Sequence, residues 1–87
     1  MRFLVESMLN QVPTPEILAL IPAESARGVE LDSQGVREKL YIAADQSRSW
    51  QVFAVPSPAA LDEVLASFPL HPYLHETITP LADEASV

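Results

Sequence analysis

Eight prolines in 87 residues cut this chain into short pieces. Proline lacks an amide hydrogen and its ring crowds the preceding turn, so neither a helix interior nor a central strand tolerates it. Pro13, Pro15, Pro22, Pro56, Pro58, Pro69 and Pro72 therefore mark boundaries. The apolar run over 3–9 is rich in strand formers and ends at Asn10 and Pro13, so it reads as a first strand. Thr14-Pro15-Glu16 has the form of a helix start: a hydroxyl at the cap, proline at the first helical position, an acid in the first turn. Pro22 interrupts that helix, which predicts a short turn over 15–20 and a second helical piece over 22–34. Gly35 follows as a left-handed cap.

Residues 36–44 are again strand-like around Leu40, Tyr41 and Ile42, and Asp45-Gln46-Ser47-Arg48 forms a polar turn into a strand over 50–55. The two should pair as a hairpin. Ser57 then caps a helix with Pro58 at its first position, and Leu61, Val64, Leu65 and Phe68 recur at i, i+3, i+4 and i+7. Pro69 and Pro72 stop it, and 74–79 makes a last strand. The order is β-α-β-β-α-β, the split arrangement of a ferredoxin-like α+β domain with a four-stranded antiparallel sheet and its helices on one face. One such domain is expected over 1–81, followed by a small, acidic, fraying tail over 82–87.

Composition narrows the function classes. The hydrophobic fraction is 48% and the charged fraction 20%, values of a folded domain rather than a disordered one. Twelve acids against five Lys and Arg give a net charge of −7. The average face would repel a phosphate backbone or an anionic membrane, so neither nucleic acid nor membrane is an expected partner. No run approaches the ~18 apolar residues of a membrane span, and Glu6 interrupts the N-terminal apolar stretch before a signal-peptide core develops, which predicts a cytoplasmic protein. Cysteine is absent and there are two histidines, which excludes disulfides and a thiolate metal site.

The strands do not alternate as a half-exposed sheet should. Phe3 and Val5 oppose Leu4 and Met8, Leu40 and Ile42 oppose Tyr41, and Trp50 and Val52 oppose Phe53 and Val55. Both faces are apolar. A domain this small has a marginal core, and an uncovered apolar sheet face exceeds what a soluble monomer tolerates. A second copy covering ~600 Å2 of it would contribute on the order of 15 kcal/mol before association costs. A homodimer is therefore expected, with any small organic ligand lodged in the cleft between subunits.

The stretch from Ser49 through Trp50-Gln51-Val52-Phe53-Ala54-Val55-Pro56-Ser57, then Ala60-Leu61, then Phe68-Pro69-Leu70-His71-Pro72-Tyr73, resembles the muconolactone delta-isomerase family. In that family a strand of the form (Y/W)-x-V-F-x-V-P-S leads to a helix ending in L-P-L-x-P-Y. The likeness covers about 23–81. It implies subunits paired sheet to sheet as a dimeric α/β-barrel, with assembly up to a decamer. It also implies a reaction that moves a ring double bond in an unsaturated lactone, a step in aromatic compound catabolism. Such a step takes a proton from one carbon and returns it to another, so it needs one acid–base group and no cofactor or metal.

The resemblance places the family's acid at Glu24, in Pro22-Ala23-Glu24-Ser25, where burial would raise its pKa and suit it to carry the proton. An acid in the first turn of a helix is also favoured by the helix dipole alone. Arg37 and Lys39 are candidates for a substrate carboxylate, though a basic-acidic-basic run also suits a solvated edge strand. Tyr41 stands where the family has a tryptophan, and Tyr73 closes the Pro-Leu-x-Pro-Tyr element; either can wall a substrate pocket or simply pack. Glu6 stands at a family lysine and would bring a second carboxylate near a pocket. His71 occupies a variable place and reads as a surface-loop residue. A non-catalytic ligand-binding or assembly protein on the same scaffold is the alternative.

Overall fold

A computed structural model describes residues 1–82. Strand β1 spans Arg2–Leu9, α1 Pro15–Ala19, α2 Ile21–Ser33, β2 Arg37–Ile42, β3 Ser49–Ala54, α3 Pro58–Ala66 and β4 Leu74–Leu81, with a single 3-10 turn at His71–Tyr73 before β4. The sheet is antiparallel in the order β2-β3-β1-β4. That is the ferredoxin-like arrangement the element order implies. The expected tail lies outside the described residues beyond Ala82. Among the described residues no helix is long and apolar enough to cross a membrane.

Local chemistry explains the boundaries. The Thr14 hydroxyl accepts from the Ile17 amide, and Ser57 accepts from Ala60, so each cap satisfies an amide that has no intrahelical partner. Pro22 separates α1 from α2 by less than the sequence suggests. It falls in the first turn of α2, where a missing amide costs nothing, and the two helices meet at Leu20. Gly35 has φ 73°, the left-handed conformation expected after α2. Strand β4 runs two residues further than expected, through Pro80, because β4 is an edge strand and needs no amide on its open side.

The core sits between the sheet and the helices. Phe3, Val5, Leu31, Phe53, Val55, Leu61, Leu65 and Phe68 form its buried cluster, and the Phe53 and Phe68 rings meet edge to face with centroids 6.3 Å apart. Residues paired directly across strands share a face. Phe3 lies opposite Phe53 and Val5 opposite Gln51 on the helix side. Leu4 lies opposite Val52 and Glu6 opposite Trp50 on the other side. Leu4, Met8, Trp50 and Val52 are half-buried and Tyr41 is exposed, so the outer face carries the expected apolar side chains, interspersed with Glu6, Lys39, Thr77 and Thr79.

Candidate functional site

A cavity of about 770 Å3 opens between α1 and α2 and the helix-facing side of β1, β2 and β3. It lies on the helix side of the sheet, the face opposite the apolar outer surface over which a second copy is expected. The physical reason is the short α1–α2 unit, which covers the end of the sheet incompletely and leaves Leu18, Ile21, Leu40 and Ile42 exposed around the mouth. Ser7 and Gln51, both buried, lie on its sheet side.

Glu24 reaches this cavity from the first turn of α2. The Leu70 amide donates to Glu24 Oε1 at 2.9 Å, tying the carboxylate to the turn between α3 and β4. Burial raises the Glu24 pKa from its ordinary value, and the Leu70 amide only partly opposes this. Among charges, Glu76 raises it further, while Arg37 and His71 lower it. A half-buried carboxyl so placed holds its proton more readily than a solvated one.

Arg37 enters the cavity from β2 with its side chain 9% exposed. Its Nε and Nη2 donate to the two carboxylate oxygens of Asp32 at 2.7 and 3.0 Å, and Nη1 donates to Gln51 Oε1 at 3.0 Å. The guanidinium keeps the Asp32 carboxyl below its usual range. This geometry needs a glycine. A Cβ on Gly28 would stand 2.6 Å from both Arg37 Nη atoms, so the bare backbone of α2 is what admits the side chain.

The structure brings together Glu24 and Arg37 among the residues singled out from the sequence, and separates the others. Lys39 is only two residues beyond Arg37, yet a β-bulge intervenes: Arg37 pairs with Phe53 and Lys39 with Val52. The extra residue turns Lys39 to the outer face. Tyr41 pairs with Trp50 on that outer face and is 59% exposed. Tyr73 serves the turn, donating its amide to Leu70 and accepting from Asn10 through its carbonyl, and it does not line the cavity. Glu6 also lies on the outer side, accepting from Trp50 Nε1 at 2.8 Å, and brings no second carboxylate to the cavity. Gln51 was missed by sequence reasoning. Its signal was a polar residue at an inward position between Ser49 and Phe53.

Comparison with known proteins adds a family. The family model for muconolactone delta-isomerase matches residues 1–86. Muconolactone Delta-isomerase 2 of Acinetobacter lwoffii is 36% identical over 63 residues, covering 72% of this chain and 66% of that relative, just under two thirds of its length. A crystal structure of muconolactone isomerase superposes with a TM-score of 0.86 at 26% identity, covering 100% of this chain and 94% of the other. Rv0793 from Mycobacterium tuberculosis shares the fold, with a TM-score of 0.54, 22% identity and coverage of 98% of each chain.

Proposed function

Because the chain belongs to the muconolactone delta-isomerase family, we propose that it isomerises a small unsaturated lactone or related organic acid, with Glu24 carrying the proton. The observation that supports this most is the position of Glu24: a half-buried carboxyl on the cavity wall, held by one amide and raised in pKa by burial. Ionised Glu24 removes a proton from a ring carbon next to the double bond. The C–H electron pair shifts into the ring and onto the lactone carbonyl as a dienolate. The protonated carboxyl then returns the same proton to the far carbon, so the double bond has moved and no atom is gained or lost. A raised pKa brings carboxylate and substrate closer to matched proton affinity, which serves both halves of the step.

Arg37 is the group for a ligand oxygen. Its bonds to Asp32 and Gln51 fix the guanidinium in place and leave donor capacity for an acyl or carboxylate oxygen. The exposed apolar rim of Leu18, Ile21, Leu40 and Ile42 takes the hydrocarbon part of the ligand. We place a second copy of the chain on the outer sheet face, over Leu4, Met8, Trp50 and Val52, as the dimeric barrel of the resemblance implies. The test is turnover of muconolactone, followed by absorbance, in wild type and Glu24→Gln. Wild-type turnover with a loss of about 100-fold or more in the variant supports the reading, since general acid–base groups contribute roughly 10²–10⁴-fold. Equal rates, or none in either, overturn it.

A further inference from the structure

Glu24 is one of three titratable side chains that converge on the Pro69–Tyr73 turn. Glu76, on β4, pairs across the sheet with Ser7 and so points to the helix side. Its side chain is 12% exposed, and its Oε1 lies 3.1 Å from His71 Nδ1. The contact is that of a charge pair when His71 holds a proton. His71 immediately follows Leu70, whose amide holds Glu24. The same turn is braced by His71 N–H to Phe68 carbonyl at 3.0 Å, Tyr73 N–H to Leu70 carbonyl at 2.8 Å, and Asn10 N–H to Tyr73 carbonyl at 2.9 Å. Glu76 and His71 line a second, smaller recess beneath α3 rather than the cavity, so neither is placed to touch a ligand there.

We propose that His71 and Glu76 form a positioning pair for Glu24, clamping the turn that presents the Leu70 amide and setting the charge behind the site. This rests on the reading of Glu24 as the proton carrier. The charged and titratable groups facing Glu24 are Arg37 from β2, His71 from the turn and Glu76 from β4, with opposite effects: Glu76 opposes loss of the Glu24 proton, while Arg37 and His71 favour it. Burial raises the pKa of Glu76 as well, with His71 opposing.

The experiment follows the Glu24 side-chain carboxyl by carbon-detected NMR titration in the intact protein, which reports the coupling whether or not the protein turns over a lactone. Glu76→Gln keeps an acceptor for His71 but removes the like charge, so the Glu24 midpoint moves to lower pH. His71→Ala removes the cation and moves it to higher pH. Shifts of opposite sign are the signature, because simple loosening of the turn moves both variants the same way. Shifts of one sign, or none, overturn the proposal. Should one variant fail to fold, the other decides by sign: a Glu24 midpoint that stays in place or moves the opposite way overturns the pair. If Glu24→Gln keeps full turnover, the proton-carrier reading fails while these shifts still judge the coupling. With turnover present, the acid limb of kcat/KM for muconolactone moves with the Glu24 midpoint in each variant.

Discussion

The Leu70 amide and the Glu24 carboxylate, 2.9 Å apart, join the first turn of α2 to the loop that follows α3. Each contributes something the other lacks. The helix start places an acid where the dipole tolerates its charge, and the loop holds that acid over a cavity where burial penalises the same charge.

Glu24→Gln should therefore stabilise the protein at neutral pH while it lowers activity. The sign follows from linkage: a carboxyl whose folded pKa is raised contributes most below the ordinary glutamate value of about 4.3, and that contribution is lost as pH rises through the folded value. The glutamine stays neutral and can still accept from Leu70. Urea unfolding at pH 7 should show the variant more stable than wild type, with the gap closing toward pH 3.5.

Gly28→Ala should cost about 1–3 kcal/mol, the range for overpacking, because the added methyl meets a guanidinium held by two partners. Thermal unfolding measures the loss. Arg37 must withdraw from Gln51, so KM should rise more than kcat falls.

Acid should release the Asp32–Arg37 pair. Arg37 holds the Asp32 pKa low, so this pair stabilises the fold above the ordinary aspartate value of about 3.9 and its contribution is lost as pH falls through the folded value. Asp32→Asn should flatten that part of the stability–pH curve. An unchanged slope between wild type and variant would show that the pair is inert.

Val52→Glu tests the outer face. Val52 lies opposite Leu4 at the middle of the half-buried outer surface. Sedimentation equilibrium at micromolar concentration should show wild type as a dimer or larger and the variant as a monomer, with the cavity on the helix side intact. A wild-type monomer would remove the second copy from the proposal.

How far the sequence could be read depended on the range of the interactions involved. Caps and breakers are local chemistry, and Thr14, Gly35, Ser57 and Pro58 behave as their residue types dictate. Facing in β1 and β3 was legible because strand side chains alternate sides whatever their polarity, and no bulge interrupts the pairing of these two. The position of the cavity was not, since it depends on how much of the sheet the short α1–α2 unit leaves uncovered. Nor was the parting of Arg37 from Lys39, because nothing in Val36-Arg37-Glu38-Lys39 announces a bulge. His71 read as a surface-loop histidine, nothing in the sequence tied Glu76 to it, and only the fold of the turn brings them together behind Glu24.

The irregularity at Glu38 has an evolutionary consequence. One surplus residue sends two neighbouring cations into different environments, the first into the helix-side cavity, the second onto the outer face of the sheet. Shortening the strand there by that residue would leave both destinations unchanged, whereas one more residue between Lys39 and a fixed hairpin turn would exchange them. Indels in this strand thus offer descendants of the scaffold a way to rewire the pocket's charge without altering a single side chain.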